Sequence, residues 1–214
     1  MKIFNVKWTS TSAGPSPDNN KRTEIFLHGC KRAMMGNPCK NCFNPKLWDS
    51  SKNHRDYSVA EVVKNIVKYA PNKYITFVGG EPFDQIEDLS EVCYLLKVLG
   101  YHIIVFTNKE LEHNIEKTPY TIKLLNNIDI LIDGEYKETE RIYQENFGDG
   151  LTDAVGSGNQ IIWDISYPHF TGYAARDLAG IYVSPIDDTL KYITKNKTVQ
   201  EHNILCFEQL KRVG

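Results

Sequence analysis

Residues 73–82 read KYITFVGGEP, a run of β-branched and aromatic residues that stops at two glycines, a glutamate and a proline. Such a run favours an extended strand, and the Gly79-Gly80 pair marks where the chain turns. The next segment, Glu87 to Leu99, has helical spacing and a natural stop at Gly100, so the quoted stretch is the first half of a β-α unit. Upstream, Ser58-Val-Ala-Glu61 is a capping box that opens a helix with Val62, Val63, Ile66 and Val67 as its apolar stripe, closed by Pro71. Earlier still, Thr23 to His28 reads as a strand delivering the chain to Gly29-Cys30. Downstream, Tyr101 to Phe106 is a nearly continuous apolar strand, as expected of one covered on both faces. Tyr120 to Leu125 predicts a short helix, and Ile128 to Ile132 and Gln160 to Ile165 predict further strands. This alternation predicts parallel β-α units, arranged as an open sheet or a partial barrel. Past Pro168 the pattern blurs, with a strand at Ile181-Tyr182-Val183 and a last helix over Val199 to Val213 as the readings.

The 214 residues suffice for one full core, and 41% hydrophobic with 24% charged residues is ordinary for a globular chain. A net charge of −2 supplies no basic excess for a nucleic-acid footprint. Apolar runs such as Ile103 to Phe106 fall far short of the ~18 residues of a membrane span. The start, Met1 to Val6, lacks the apolar region of a signal peptide, so a cytoplasmic location is expected, with neither nucleic acid nor membrane as partner.

Chemistry concentrates in Cys30, Cys39 and Cys42, followed at once by Phe43-Asn44-Pro45. Thiols this close in a Gly- and Pro-bearing loop offer soft ligands to a metal, and three rather than four would leave one iron of a cubane cluster without a protein thiolate. Five cysteines fit poorly with a complete disulfide framework; Cys93, in an apolar helical stretch, and Cys206 read as small buried hydrophobes. In parallel α/β folds ligands gather at the carboxyl ends of strands. The cysteine loop follows the first of these strands, Gly79-Gly80-Glu81-Pro82 the second, Thr107-Asn108 the third and Asp133-Gly134-Glu135 the fourth, which puts four polar groups on one rim. The glycines let backbone approach a ligand and accept hydrogen bonds from an ammonium group, while Glu81 adds negative charge and Pro82 fixes the turn.

Residues 39–49, CKNCFNPKLWD, resemble the cluster loop of the activating enzymes of anaerobic ribonucleotide reductase. The resemblance continues through Gly79 to Pro82, Val105-Phe106-Thr107 and Ile130 to Gly134. It also takes in Gly156-Ser157-Gly158-Asn159-Gln160 and, loosely, Ala13-Gly14-Pro15 with Arg22. It covers about residues 1–165. That family belongs to the radical S-adenosylmethionine (SAM) enzymes. The resemblance implies a partial (β/α)6-type parallel barrel of the radical SAM type with a C-terminal appendage: a core over 1–169 and an extension over 170–214 packed on it, of unknown role. It implies that Cys30, Cys39 and Cys42 hold three irons of a [4Fe-4S] cluster and that SAM chelates the fourth. Asn41 and Phe43 would lie against SAM, and Gly79 and Gly80, with Glu81 and Pro82, would take its amino group. Thr107, Asn108 and Asp133 are further candidate contacts; no side chain beyond cluster and SAM is expected to be catalytic. Reductive cleavage of SAM to methionine and a 5′-deoxyadenosyl radical would then generate a glycyl radical on a partner, a glycyl-radical enzyme of the anaerobic ribonucleotide reductase type. A flavodoxin- or ferredoxin-type protein would donate the electron.

Two departures stand out. Eight residues, Lys31 to Pro38, separate the first two cysteines where three are usual in that superfamily, and Thr107-Asn108 stands where close relatives tend to carry Thr-Gly. The longer loop and unmatched tail point to the alternative of a radical SAM enzyme modifying a peptide or nucleoside-like molecule. A third reading is a non-catalytic zinc module in which His28 or His54 completes four ligands. By spacing alone, His54, His102, His113, His169 and His202 show no ligand pattern. A bulky residue at Gly80 is expected to weaken SAM binding and leave iron in place.

Overall fold

The computed structural model describes residues 1–14, 16, 21–52, 54–142 and 155–165, together with the backbone of short strands at 171–174, 183–184 and 191–192. The elements run β1 (Lys2–Ser10), β2 (Arg22–Leu27), α1 (Lys31–Met34), β3 (Arg55–Asp56), α2 (Val59–Tyr69), β4 (Tyr74–Gly79) and α3 (Ile86–Val98). Then come β5 (His102–Phe106), α4 (Pro119–Leu125), β6 (Ile130–Asp133), β7 (Ile161–Asp164) and β8 (Thr171–Ala174), with β9 (Val183–Ser184) and β10 (Lys191–Tyr192) paired apart from the main sheet.

Eight strands form one sheet in the order β3-β1-β2-β4-β5-β6-β7-β8. Its centre, β2-β4-β5-β6, is parallel, as the β-α alternation predicts. Both flanks are antiparallel: β1 pairs with β2 as a hairpin, and β7 pairs with β6 with Asp133 opposite Ile161. The fold is therefore mixed α/β, and among the described residues the edge strands β3 and β8 do not pair to close a barrel. The physical reason lies in the connections. A parallel neighbour needs a crossover to the other end of the sheet, whereas the chain leaving β6 re-enters β7 at the end it left.

Helices α2, α3 and α4 cover one face of the sheet. Ile25, Leu27, Ile75, Phe77, Ile103 and Val105 project into that side, against Val62, Ile66, Leu89, Val92, Leu96 and Leu124 from the helices. The capping box forms as read: Ser58 Oγ accepts the Glu61 N–H at 3.3 Å and the Glu61 carboxylate accepts the Ser58 N–H at 2.8 Å. The stripe is narrower than the sequence suggests, because Val67 faces solvent while Val62 and Ile66 are buried. Gly100, at φ +79°, ends the α3 segment with its N–H on the Lys97 carbonyl. Of the predicted extension, β8 pairs with β7, Val183–Ser184 matches the end of the strand read at 181–183, and the helix read over Val199 to Val213 lies outside the described residues, as does Cys206.

Candidate functional site

The carboxyl ends of β2, β4, β5 and β6 make a single rim, and the cysteine loop is stitched to it at both ends. Gly29, at φ +107°, donates its N–H to Leu47 O at 2.7 Å, and Cys30 N–H reaches Trp48 O at 3.0 Å. Cys30 then caps α1, its carbonyl taking the Met34 N–H at 3.0 Å. The residues between Cys30 and Cys39 are taken up by that helical turn, by Gly36 at φ +85°, and by Arg32 Nε donating to Asn37 O at 2.8 Å. Arg32 also pairs with Glu135 at 2.7 Å, tying this span to the segment after β6. Cys39 and Cys42 share a tight turn, closed by Cys42 N–H on Cys39 O, in which Asn41 adopts φ +56°. Asn is among the few side chains that tolerate this left-handed backbone. Leu47, 3% exposed, anchors the exit of the loop.

All three cysteines line one cavity of about 650 Å³, together with Phe43, Gly79, Gly80, Glu81, Pro82, Thr107 and Asn108. The two remaining candidates are not among its wall residues. Asn41 shapes the turn, and Asp133 lies just behind the wall, accepting the Leu111 N–H at 2.6 Å. Burial lifts the Asp133 carboxyl to about 6, against the opposing pull of the Leu111 N–H and the Trp163 indole.

The glycines are demanded by packing. A Cβ at Gly79, where φ is +119°, would stand 2.5 Å from Leu27 N, and one at Gly80 would collide with the Gly29 carbonyl. Here β4 comes up against the strand that delivers Cys30, with Gly80 N–H on Leu27 O and Glu81 N–H on Gly29 O. Glu81 is 2% exposed and both its carboxylate oxygens are engaged: Oε1 accepts Phe83 N–H at 2.9 Å and Thr107 Oγ–H at 2.7 Å, and Oε2 accepts Asn108 N–H at 2.8 Å. Burial raises the Glu81 carboxyl to about 7 despite those three donors. Its role in this structure is to clamp the segment after β5 to the turn after β4.

Tyr136 and Arg141 on the wall escape the sequence reading, which picks out Gly156 to Gln160 as a motif without placing it at the site. Tyr136 packs its ring on Phe43 with centroids 4.5 Å apart, and the Arg141 guanidinium sits 5.1 Å over the same Phe43 ring. Gly156 lies against both rings, and Gln160 holds the turn by accepting from Gly156 and Ser157 N–H and donating to Gly134 O. The Gly156–Gln160 segment reaches the rim only because β7 is antiparallel. Lys7 and Glu24, 3.5 Å apart on the β1–β2 hairpin, line the cavity too, and nothing local in the sequence marks them.

The thiols suit soft-metal ligation. Burial pushes the Cys30 and Cys39 thiols up, with the Ala33 N–H opposing at Cys30 and Arg32 opposing at Cys39. Asn44 N–H points at Cys42 Sγ at 3.4 Å. Among the described residues no three His, Cys, Asp or Glu side chains are drawn together into a finished cage. His28 and His54 do not line the cavity. The His28 ring lies between Phe4 and His54, with centroids 5.5 and 5.8 Å away, so neither histidine completes a cysteine set as the zinc reading requires.

Residues 19–163, a span that includes the three cysteines and every other rim candidate, match the family described as a 4Fe-4S single cluster domain. The chain belongs to that family. Among curated proteins, the chain is similar to the pyruvate formate-lyase-activating enzyme of Clostridium pasteurianum, 30% identical over 91 residues, covering 40% of this chain and 36% of that one. It is likewise similar to the pyruvate formate-lyase-activating enzymes of Staphylococcus epidermidis (29% identical) and Staphylococcus aureus strain USA300 (30% identical). Each match runs over 111 residues, 50% of this chain and 41% of theirs. The chain thus spans about two fifths of the length of those curated relatives. No helix among its described residues is long and apolar enough to cross a membrane.

Proposed function

We propose that the protein is a radical SAM activase that generates a glycyl radical on a partner enzyme, with Cys30, Cys39 and Cys42 as the three cysteine ligands of its cluster. The observation that carries this reading is the convergence of the three cysteines, the Gly79-Gly80 turn and Thr107-Asn108 on one cavity of about 650 Å³. That volume is in the range of a cofactor site. When bound, the cluster and SAM supply one-electron cleavage of a sulfonium and a hydrogen-abstracting adenosyl radical. This chain's own residues bind, orient and shield. The carbonyls at Gly79 and Gly80 offer acceptors for the SAM ammonium group, on a turn where no side chain intervenes. Glu81 fixes the spacing between that turn and Thr107-Asn108. Phe43, Tyr136 and Gly156 form an apolar flank that limits water, and Phe43, 52% exposed, stands at the mouth where a substrate loop would enter.

Supporting the activase role are the motif matches at 39–49 and 156–160, and the relatives, whose names state that they activate pyruvate formate-lyase. The partner in this reading is anaerobic ribonucleotide reductase, with a flavodoxin- or ferredoxin-type electron donor and a reducing cytoplasm that keeps the thiols free. In this reading residues 1–169 make up the catalytic core and 170–214 an extension, whose strand β8 joins the core sheet.

The test is anaerobic reconstitution with iron and sulfide, reduction in the presence of SAM, and assay of methionine and 5′-deoxyadenosine. Partner reductase is then added and its glycyl radical sought by electron paramagnetic resonance. Both products together with the radical signal are expected. SAM cleavage without a radical on the reductase redirects the reading to another substrate, and zinc uptake with no cluster overturns it.

A further inference from the structure

We infer that Asn108 is a positioning residue for the cluster's electronics: its side-chain amide donates to Cys30 Sγ, and Glu81 locks it there. The inference rests on Cys30 being a cluster ligand. Asn108 Nδ2 lies 3.8 Å from Cys30 Sγ, a donor facing an atom that can only accept once it ligates iron. The three thiols each meet a main-chain N–H, from Ala33 at Cys30, Tyr136 at Cys39 and Asn44 at Cys42. Among the described residues, Cys30 is the one of the three that also meets a side-chain donor. Main-chain donors come with the fold; a side-chain donor depends on the residue type at that position.

The placement of Asn108 is tightly held. Its own N–H is on Glu81 Oε2 at 2.8 Å, while the preceding Thr107 donates its hydroxyl to Glu81 Oε1, sends its N–H to Ile132 O at 2.9 Å and takes the Lys109 N–H on Oγ at 3.1 Å. The buried carboxylate therefore fixes the backbone from which the amide is aimed. One-electron reduction adds one negative charge to the cluster, and hydrogen bonds to its sulfurs favour that more negative state. Asn108 thereby raises the potential at which the electron from an external donor is accepted.

The experiment compares wild type, Asn108→Ala, Asn108→Asp and Glu81→Gln, each reconstituted anaerobically with iron and sulfide and without SAM. Iron and labile sulfide per chain are measured first. A dithionite titration followed by paramagnetic resonance then gives the midpoint potential. Asn108→Ala is expected to keep four irons per chain. Its midpoint should fall enough to cut the ratio of reduced to oxidised cluster about tenfold at a fixed poise, which is ~59 mV for one electron. Asn108→Asp, which turns a donor into a negative acceptor of the same size, is expected to fall further. Glu81→Gln removes a buried carboxylate whose charge reaches Cys30, and is expected to shift the midpoint upward, opposite to Asn108→Ala, which separates the field of the carboxylate from the Asn108 donor. Wild-type midpoints in fully loaded variants overturn the inference and leave the cluster reading intact. Loss of iron in both Asn108 variants also overturns it, by making Asn108 a strut of the cluster loop. A wild-type protein that forms no four-iron cluster overturns both readings.

Discussion

Replacing Gly80 by alanine should damage the cluster site and the fold together. An ideal Cβ there collides with the Gly29 carbonyl oxygen and stands 2.7 Å from its carbon and 2.9 Å from its nitrogen, where ordinary contact begins at 3.4 Å. The obstacle is backbone and cannot swing aside. It is also held from the other direction, since Gly80 N–H bonds Leu27 O at 3.0 Å and Glu81 N–H bonds Gly29 O at 2.7 Å. Relief requires the β2 and β4 ends to part, straining or breaking those bonds. Overpacking of this kind costs about 1–3 kcal/mol, and one weakened backbone hydrogen bond adds about 1 kcal/mol. For a chain of this size that lowers the melting temperature by roughly 5–15 °C. Gly29 precedes Cys30, so the same displacement moves the first of the proposed cluster cysteines, and iron per chain after reconstitution should fall with stability. This differs from the expectation drawn from sequence, in which Gly80 touches SAM alone and iron is spared. The control is Gly36→Ala, where φ is +85° but nothing lies within 4 Å of the new Cβ. It should lose only the ~1–2 kcal/mol of a left-handed alanine and keep its iron. The measurements are thermal unfolding of metal-free protein and iron with labile sulfide after anaerobic loading. A Gly80→Ala protein that melts within about 2 °C of wild type and loads fully would refute the packing argument.

Alanine at Cys30, Cys39 or Cys42 should each abolish the four-iron absorption and paramagnetic signals. Cys93→Ala, deep in α3 among core side chains, should keep them at a cost of about 1 kcal/mol in urea unfolding. Ser58→Ala breaks the capping box of α2 and should cost about 1 kcal/mol, or roughly 2–4 °C in melting temperature. His102 is held down to about 4, first by burial and then by the neighbouring Arg22 guanidinium, 3.3 Å from its Nδ1. The folded protein thus keeps it neutral where the unfolded chain, titrating near 6.5, takes up a proton. Its contribution is fully present above 6.5 and is lost as the pH falls through about 4. Relative to His102→Gln, metal-free wild type should therefore lose up to about 3 kcal/mol between pH 7 and 4, less whatever solvent screens at the ring edge. A flat difference between the two proteins over that range would show that the ring is not buried beside a charge.

How much of this was readable beforehand depended on how local the cause was. The α2 cap, the Gly100 stop and the strand ending at Gly79 are set by neighbours in the chain, and each appears within a residue or two of its expected place. Strand β1 was missed because Lys2 to Ser10 is largely exposed on one side and becomes a strand only by pairing with β2. The direction of β7 is not encoded in Gln160 to Ile165, whose apolar pattern serves either orientation; the return path of the chain decides it. Glu81 shows the same limit at the site. Its charge was legible as an attraction for a cation, yet both its oxygens are occupied by donors from Phe83, Thr107 and Asn108, and two of those partners are more than twenty residues away.

The eight-residue gap between Cys30 and Cys39 becomes intelligible on the same terms. Where a ligand sits is governed by the bonds that fasten its backbone, and the two halves of this loop are fastened separately. Cys30 is placed by Gly29 on Leu47 O, by its own N–H on Trp48 O and by Glu81 N–H on Gly29 O. Cys39 and Cys42 are placed by their shared turn and by the 3-10 turn Pro45–Leu47, whose buried leucine anchors the exit. Between them, α1 folds the added residues into a helical turn whose Met34 and Met35 face solvent, while the Arg32–Glu135 pair pins it to the rim. The added length thus turns its methionines outward and contributes only Ala33 to the cavity that all three thiols line. The long spacing between Cys30 and Cys39 thus alters the surface beside the site and leaves the cysteines on a common wall, so a difference in function arising from it would be expressed in what docks at the cavity.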